Sequence, residues 1–225
     1  NRMVTEDDII SAVQGARSYS LPPDQKTIHT CERCFQVDDG SRLANALGRV
    51  GDWLSAEVLL VVGQHSSLQT ICSMVNDLMS YRARDIAFSG IAACFAAFGP
   101  QDAQHGQLLI DIGAGVTEYV VFHDNGCYYA SQVTVGCDHI ANDLAIGLRL
   151  PQARGKALVR DLAEHKCSAV RALEETPGSI ELRLGSGVTR KIPRASIEEI
   201  VELRLAELFQ VIWDDLDRHG VRERI

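Results

Sequence analysis

The sequence predicts an α/β protein that begins with a compact α+β unit. Apolar residues recur at helical spacing in some segments and form short strand-like runs in others, and the two kinds alternate along the chain. Glycine-containing turns separate many of these runs. Hydrophobic residues make up 46% of the 225, which suffices for a folded core and exceeds what disordered chains contain. The length predicts one large domain or two small ones.

The first 84 residues predict the α+β unit. Thr5 and Asp8 have the spacing of a capping box, with Asp in place of the usual Glu, and apolar residues then recur at helical spacing. A turn with the sequence Asp-Asp-Gly separates two strand-like runs. The predicted elements are a helix from Thr5 to Arg17, strands over 27–37 and 57–62, a loop over 45–51 and a helix over 66–81.

Residues 85–104 predict a connecting segment. It consists of a short strand over 85–89 and a helix of small residues over 90–98, and the sequence Gly-Pro-Gln-Asp at 99–102 then interrupts the pattern.

Residues 105–150 predict three strands and a helix around a glycine-rich turn. The Asn-Gly pair at 125–126 is typical of a tight hairpin, because its residues accept positive φ angles. The predicted elements are strands over 107–112, 118–123 and 127–135, and a helix over 136–146.

Residues 151–225 predict an outer layer of helices and one hairpin. A polar helix over 151–173 is followed by two strand-like runs on either side of Gly-Ser-Gly at 185–187. A long amphipathic helix over 196–218 comes next.

The segment from Asp111 to Thr117 carries the strongest chemical signal, the pattern Asp-x-Gly-x-Gly-x-Thr. The glycines let a ligand approach the backbone, and successive N–H groups in such a turn bind anions. Asp111 would hold a hydrated Mg²⁺ and Thr117 would add a hydroxyl to a phosphate. A strand follows the turn, which excludes a Walker A loop and a dinucleotide fingerprint. The same spacing also suits a plain tight hairpin, and the pattern alone leaves both interpretations open.

Placed between two strands, this pattern resembles the second phosphate loop of the actin-like ATPases. Neighbouring segments narrow the resemblance to the FtsA family of bacterial cell-division proteins, and they occur in the family's order. These segments are 4–8, 85–93, 135–136, 142–145, 150–151 and 200–204.

The resemblance implies an actin-like ATPase lobe, of ribonuclease H-like α/β fold, with an inserted α+β subdomain. The inserted interaction subdomain would be residues 1–84, the phosphate-loop subdomain 105–150 and the outer subdomain 151–225. ATP and Mg²⁺ are the implied cofactors, with Asp111 on the metal through water. The implied binding residues are Asp111, Gly113, Ala114, Gly115, Thr117, Gly136, Glu202 and Arg204.

The sequence also departs from the family's pattern. The resemblance implies a first phosphate loop before Asn1, and an adenosine loop and an amphipathic membrane-anchor helix after Ile225. The start at Asn1 without Met is consistent with a piece of a longer protein. Family members carry a Glu and a Lys three residues apart on the helix after the Leu-Pro step. An ungapped match places Gly155 and Leu158 there, and a gapped match places Arg160 and Ala163.

The implied function is a scaffold and adaptor at the cytoplasmic face of the inner membrane at the division site. Such proteins polymerise head to tail, bind the C-terminal tail of FtsZ and meet later division proteins. The resemblance implies that residues 1–84 make subunit and division-protein contacts and that 151–225 carry the FtsZ surface. Two alternatives stay open: an ATP-hydrolysing actin-like enzyme, at most weak when full length, and a pilus-assembly actin-like adaptor.

The formal net charge is −8, from 22 basic and 30 acidic residues. This balance argues against sequence-independent binding to nucleic acid and predicts repulsion from acidic lipid. The basic residues Arg190, Lys191 and Arg194 predict either a solvated hairpin or a docking site for an acidic peptide such as the FtsZ tail.

Seven cysteines, an odd number, favour a reducing compartment over a disulfide framework. Cys31 and Cys34 have the spacing of half a zinc knuckle, but no second Cys-x-x-Cys is present. A strand over these residues would place the two cysteines on opposite faces.

Overall fold

A computed structural model of the chain describes residues 1–79, 81–99, 105–123, 126–164, 178–183 and 189–225. The helices are α1 (Glu6–Arg17), α2 (His65–Met79), α3 (Ser89–Ala97), α4 (Cys137–Gly147), α5 (Gln152–Glu164) and α6 (Arg194–Arg218). The strands are β1 (Arg2–Met3), β2 (Gln25–Val37), β3 (Val50–Gly51), β4 (Leu54–Gln64), β5 (Gln107–Ile112), β6 (Thr117–His123), β7 (Gly126–Val133), β8 (Ser179–Arg183) and β9 (Thr189–Pro193).

The strands form four small sheets. The longest ladder is the antiparallel pair β2–β4, which runs from Gln25 opposite Gln64 to Val37 opposite Leu54, with two irregularities of register. β5, β6 and β7 form a three-stranded sheet with β6 in the centre. β1 pairs with β3, and β8 pairs with β9, both antiparallel.

The chain divides into two compact units. Unit 1 comprises residues 1–110, 119–131 and 223–225, and unit 2 comprises 111–118 and 132–222. Each unit has its own apolar cluster or clusters.

Unit 1 contains the predicted N-terminal helix. Thr5 caps α1, and its hydroxyl accepts a hydrogen bond from the Asp8 N–H while the Asp8 carboxylate accepts one from the Thr5 N–H, which confirms the capping box. The side chains of Ile9 and Val13 pack against a buried cluster formed by Val4, Phe35, Val37 and Ala46. The helix is therefore held by its apolar stripe, as expected for a surface helix.

A second cluster of unit 1 lies around β6 and α3. Its buried members are Ile91, Cys94, Val120, Phe122 and Cys127. The rings of Phe95 and Phe122 add a T-shaped contact with centroids 5.8 Å apart.

The last residues of unit 1 return to its middle. A Cβ atom added at Gly106 would lie 1.5 Å from the carbonyl oxygen of Arg224. Only glycine fits at position 106 while the chain end takes this course.

Unit 2 is built on helix packing. Its core consists of residues from α4, α5, β9 and α6 and the turn after α4: Ile140, Leu144, Leu148, Leu150, Leu158, Ile192 and Ile197. Helix α5 approaches α4 so closely that a Cβ atom at Gly155 would lie 2.2 Å from the Ala141 carbonyl oxygen.

Most predicted elements are confirmed within a few residues, including β5, the two strands of the second hairpin and α6. Three predictions fall on residues outside those that the structure describes: the interruption at 100–102, the turn at 124–125 and the hairpin turn at 185–187. The later part of the polar helix, 165–173, also lies outside them. Among the described residues, no helix is both long enough and apolar enough to cross a membrane.

The strand predicted over 85–89 is wrong, because its backbone N–H groups bond to side chains instead of a neighbouring strand. The Ile86 N–H donates to its neighbour Asp85, and the Phe88 N–H donates to Nε2 of His29, at 2.8 and 2.9 Å. The predicted loop over 45–51 also ends in strand β3, which pairs with β1.

Candidate functional site

The glycine-rich turn joins β5 to β6 through residues 113–116. The Gly113 N–H donates to the Val116 carbonyl oxygen at 2.9 Å and closes the turn. A Cβ atom at Gly113 would lie 2.7 Å from that same oxygen. The first glycine of the motif is therefore needed for close backbone approach.

The carbonyl groups of the turn bind the start of α4. The Cys137 N–H donates to the Gly113 oxygen at 2.9 Å, and the Asp138 N–H donates to the Ala114 oxygen at 2.8 Å. Gly136 makes this possible, because a Cβ atom there would lie 2.5 and 2.6 Å from those two oxygens. The turn is thus fixed to a helix end by its oxygens.

Two N–H groups of the turn, those of Ala114 and Gly115, are open to a ligand. Ala114 and Gly115 are exposed, and within the described ranges their N–H groups have no hydrogen-bond acceptor. No atom lies within 4 Å of the position that a Gly115 Cβ would take. Such a set of N–H groups beside a helix N-terminus suits an anion.

Asp111 supplies a carboxylate next to this turn. Its side chain is exposed, and no hydrogen bond or ion pair joins it to any residue in the part of the chain that the structure describes. An unpaired carboxylate next to an anion-binding turn suits Mg²⁺, which keeps its waters and takes few protein ligands.

Thr117 has a different place from the one its motif predicts. The residue is fully buried, and its hydroxyl donates to the Val135 carbonyl oxygen at 2.7 Å. The hydroxyl is thereby withdrawn from a direct phosphate contact. Thr117 instead fixes the start of β6 to the residue before Gly136, which makes it a positioning residue.

Sequence analysis missed two side chains near the turn. Nδ1 of His139 accepts a hydrogen bond of 3.1 Å from the Gly136 N–H, and Lys156 binds both carboxylate oxygens of Asp138 at 3.0 Å. The position of His139, three residues after Gly136, is where a capping side chain reaches back, so the spacing could have indicated it. Nothing in the sequence indicated Lys156, which comes from another helix.

Glu202 and Arg204 are not brought to the turn. Arg204 on α6 donates to Asp143 at 2.5 Å and to Glu207 at 2.6 Å, and the hydrogen bond to Asp143 raises the pKa of the guanidinium. Asp143 lies about 9 Å along α4 from the first helical residue. Among the described residues, no hydrogen bond or ion pair links Glu202 or Arg204 to residues 111–117.

The two positions on α5 where the resemblance implies Glu and Lys serve packing instead. Gly155 is buried against Ala141, and Leu158 is 2% exposed in the core of unit 2. Neither offers a polar atom to a ligand. Arg160, from the gapped match, is exposed.

A groove of about 450 Å³ lies between α4, α5, β8 and α6. Its floor is apolar and includes Ile140, Val159 and Val201, and its lining also includes the charged residues Arg194, Glu198 and Glu202.

The basic residues of the second hairpin are engaged within the protein. Arg190 donates to the Leu148 carbonyl at 2.7 Å, and Lys191 lies 3.5 Å from Glu181. Arg194 pairs with Glu198 at 2.6 Å. These contacts favour the solvated hairpin over a bare cationic patch.

Cys31 and Cys34 have different partners. The Cys34 thiol donates to Glu57 at 3.5 Å, whereas Cys31 packs in the cluster around Cys127. Within the described residues, no group of three or more His, Cys, Asp or Glu side chains is arranged to hold a metal ion.

Two family models match this chain. The one described as "SHS2 domain inserted in FTSA" matches residues 1–62, and the one described as "Cell division protein FtsA" matches residues 108–212. The matched segments include most of the predicted inserted subdomain and the whole glycine-rich turn.

Full-length relatives agree with these matches. The cell-division protein FtsA of Borreliella burgdorferi is 23% identical over 224 residues, covering 100% of this chain and 54% of that protein. FtsA of Pseudomonas aeruginosa is 26% identical over 229 residues, covering 100% of this chain and 53% of that protein. The chain therefore spans about half the length of the curated relatives it matches.

A solved structure supports the fold. The PilM-PilN type IV pilus biogenesis complex aligns with a TM-score of 0.53 and 12% identity, over 98% of this chain and 54% of that one. Such a likeness concerns the fold alone. It confirms the predicted fold class, an actin-like α/β lobe with an α+β subdomain. The chain belongs to the FtsA family of cell-division proteins.

Proposed function

We propose that this actin-like cell-division protein binds the phosphates of ATP, with Mg²⁺, at the turn 113–116. The observation that carries the proposal is the pair of N–H groups at the exposed residues Ala114 and Gly115, open to a ligand, next to the Asp111 carboxylate, which has no partner among the described residues. Their positive field and the carboxylate match a phosphate–metal pair.

Different residues would contact the phosphates, hold the metal and position the turn. Ala114 and Gly115 would donate to phosphate oxygens, and Asp111 would hold the metal through water. Gly136, His139 and Thr117 keep the turn in place. When bound, Mg²⁺ supplies charge neutralisation between phosphate oxygens.

The α5 positions do not fit the nucleoside part of ATP. Gly155 and Leu158 face the core, so neither would contact adenine or ribose. Glu202 and Arg204 both lie on α6, and we propose only that Glu202 lines the groove and that Arg204 holds Asp143 of α4.

We propose binding without measurable hydrolysis by this chain. Hydrolysis needs phosphate positioning from both sides together with Mg²⁺, and the turn 113–116 supplies one side. ATP turnover that disappears in Asp111→Ala would overturn this part.

The binding proposal is tested by titrating the protein with Mg·ATP and, separately, with Mg²⁺ and inorganic triphosphate. Asp111→Asn should weaken the affinity for Mg·ATP and for Mg²⁺ with triphosphate by about tenfold each, corresponding to about 1.4 kcal/mol. The exposed carboxylate of α5, in Asp161→Asn, is the matched control and should leave both affinities unchanged. Equal affinities of the wild type and Asp111→Asn would contradict the proposal.

At the level of the cell, we propose an adaptor that self-associates and links FtsZ to the cytoplasmic face of the inner membrane. Membership of the FtsA family supports this. Residues 1–84 would contact other subunits and later division proteins, 85–104 would connect, 105–150 would bind phosphate and 151–225 would receive the FtsZ tail. Attachment to the membrane would depend on a separate amphipathic helix.

The apolar groove within 151–225 and its neighbour α4 supports a peptide surface there. A labelled peptide with the sequence of the FtsZ C-terminal tail should bind, and Val201→Glu in the apolar floor of the groove should abolish binding. Lys191→Ala, on the exposed hairpin, serves as the control and should leave binding unchanged. Absence of both self-association in a pelleting assay and peptide binding would sink the adaptor proposal. Binding of an inner-membrane pilus peptide instead would transfer the protein to pilus assembly.

A further inference from the structure

Three thiols meet in the apolar cluster of unit 1. Cys31 comes from β2, Cys94 from α3 and Cys127 from β7. Neither the phosphate-binding turn nor the groove uses them. The three are free cysteines in the structure.

Strands β2 and β7 approach each other at Cys31 and Cys127. The two thiols are neighbours in the apolar cluster, and the Cys127 thiol also contacts the Tyr129 carbonyl oxygen at 3.7 Å. The next residues confirm the approach: a Cβ atom at Gly126 would lie 3.9 Å from the Glu32 carbonyl oxygen. The guanidinium carbon of Arg33 lies 4.0 Å from the centre of the Tyr128 ring. The close pair is therefore set by a run of backbone and side-chain contacts.

The two thiols have unequal environments. Cys31 is half-buried and Cys127 is buried. The hydrogen bond from Cys127 lowers the pKa of the Cys31 thiol, whereas the same bond and burial raise the pKa of Cys127. Burial also raises the pKa of Cys94 to about 11. Cys31 is thus the first of the three to become a thiolate, and the thiolate is the reactive form.

We propose that Cys31 and Cys127 are a peroxide-responsive pair that forms a disulfide between β2 and β7. In the first step the Cys31 thiolate attacks hydrogen peroxide, giving a sulfenic acid and releasing hydroxide. In the second step the sulfur of Cys127 attacks the sulfenic sulfur, giving the disulfide and water. Peroxide is the oxidant, and both sulfurs are oxidised by one electron each.

Among the described residues, the other thiols are poorer candidates. Cys34 is hydrogen-bonded to Glu57, and burial together with that carboxylate raises its pKa. Cys94 lies in the cluster but is fully buried. Half-buried Cys72 and Cys137 lie elsewhere, on α2 and α4.

The bond would join the two family segments. Cys31 lies in the segment matched as the inserted SHS2 domain, and Cys127 lies in the segment matched as FtsA. In a reducing cytoplasm both residues would remain free thiols, and under oxidative stress they would form the disulfide. The disulfide would then link β2, in the predicted inserted subdomain, to β7 of the three-stranded sheet.

The pair is tested by treating the protein with hydrogen peroxide and mapping linked peptides by mass spectrometry without reductant. The expected product is a Cys31–Cys127 peptide pair lighter by two hydrogens, which dithiothreitol reverses. Cys127→Ala should accumulate a sulfenic acid on Cys31 that dimedone traps. Cys31→Ala should show neither product, and Cys94→Ala should behave like the wild type.

Circular dichroism shows which variants keep the fold, so that loss of the product is assigned to the missing thiol. Oxidation should also raise the thermal midpoint of the wild type by several degrees, because the bond closes a long loop. The proposal is overturned if peroxide leaves both thiols free, or if Cys31 pairs with Cys94 or Cys34 instead of Cys127.

Discussion

Helix α4 meets the rest of unit 2 at two glycines, and the two contacts differ in what they leave exposed. At its N-terminal end, Gly136 lets the carbonyls of Gly113 and Ala114 approach, and the N–H groups of Ala114 and Gly115 stay open to solvent. At its middle, Gly155 of α5 lies against Ala141, and the contact is buried. Close backbone approach at a glycine thus supports a candidate site at one end of α4 and the core of unit 2 at its middle.

The difference teaches how to separate a binding glycine from a packing glycine. Neither position has a positive φ angle among the described residues, so both glycines are required by close approach alone. What distinguishes them is the neighbouring backbone. Within the described ranges, the N–H groups of Ala114 and Gly115 beside Gly136 lack acceptors, whereas the Gly155 N–H bonds at 3.2 Å to the oxygen of Pro151, the residue before its own helix.

The largest expected effect is that of Gly155→Ala. The new methyl group would lie 2.2 Å from a backbone oxygen, so α5 and α4 must separate. We expect a loss of about 3 kcal/mol in the free energy of unfolding, measured by urea denaturation. Gly15→Ala on α1, with nothing within 4 Å, is the control and should stabilise by about 0.4–1 kcal/mol. An unchanged free energy of unfolding in Gly155→Ala would contradict the interpretation of Gly155 as a packing glycine.

Gly136→Ala should affect both stability and binding. Its methyl group would push the turn away from α4, costing about 2 kcal/mol and abolishing triphosphate binding in the titration. Gly115→Ala, in open space, should keep stability within about 0.5 kcal/mol. Retained triphosphate affinity in a folded Gly136→Ala protein would show that the turn needs no support from the helix.

Thr117→Val tests whether the hydroxyl positions the turn. Valine leaves the partly buried Val135 oxygen without its donor, so we expect a loss of about 1–3 kcal/mol in unfolding free energy. Thr117→Ser keeps the hydroxyl donor and should retain most of the wild-type free energy of unfolding. If Thr117→Val left stability unchanged and removed triphosphate binding, the hydroxyl would be a phosphate ligand after all.

The smallest effect is expected for Lys156→Ala. The pair with Asp138 is about half exposed, and such pairs contribute about 0.2–1 kcal/mol. Added salt should lower the free energy of unfolding of the wild type to near that of the variant, because exposed ion pairs are screened. A loss well above this range, measured in the same urea experiment, would place Lys156 with the packing contacts of α5.

Sequence patterns predicted the fold wherever local signals were strong. The capping box at Thr5 fixed the start of α1, and strict apolar runs located β5 and β6. The false strand over 85–89 had an apolar pattern but no ladder partner, since its N–H groups found side chains such as His29. β3 was missed because two residues give no periodicity to detect.

The site was predicted in part, for similar reasons. The motif identified the turn and Asp111, because glycine spacing reflects local backbone geometry. It assigned Thr117 to phosphate because a sequence does not show that a hydroxyl is buried against Val135. The contacts of Gly155 and Lys156 with α4 are tertiary, and no local pattern encodes them.

The contact between Gly106 and Arg224 bears on how the chain folds. Unit 1 takes in both its opening segment and residues 223–225, while residues 132–222 form most of unit 2. Contacts between residues so far apart in sequence close late, since the chain must first pay the entropy of a long loop. During synthesis, unit 1 can therefore gain its last contacts only after all of unit 2 has been made, which exposes the Gly106 region to premature pairing until then.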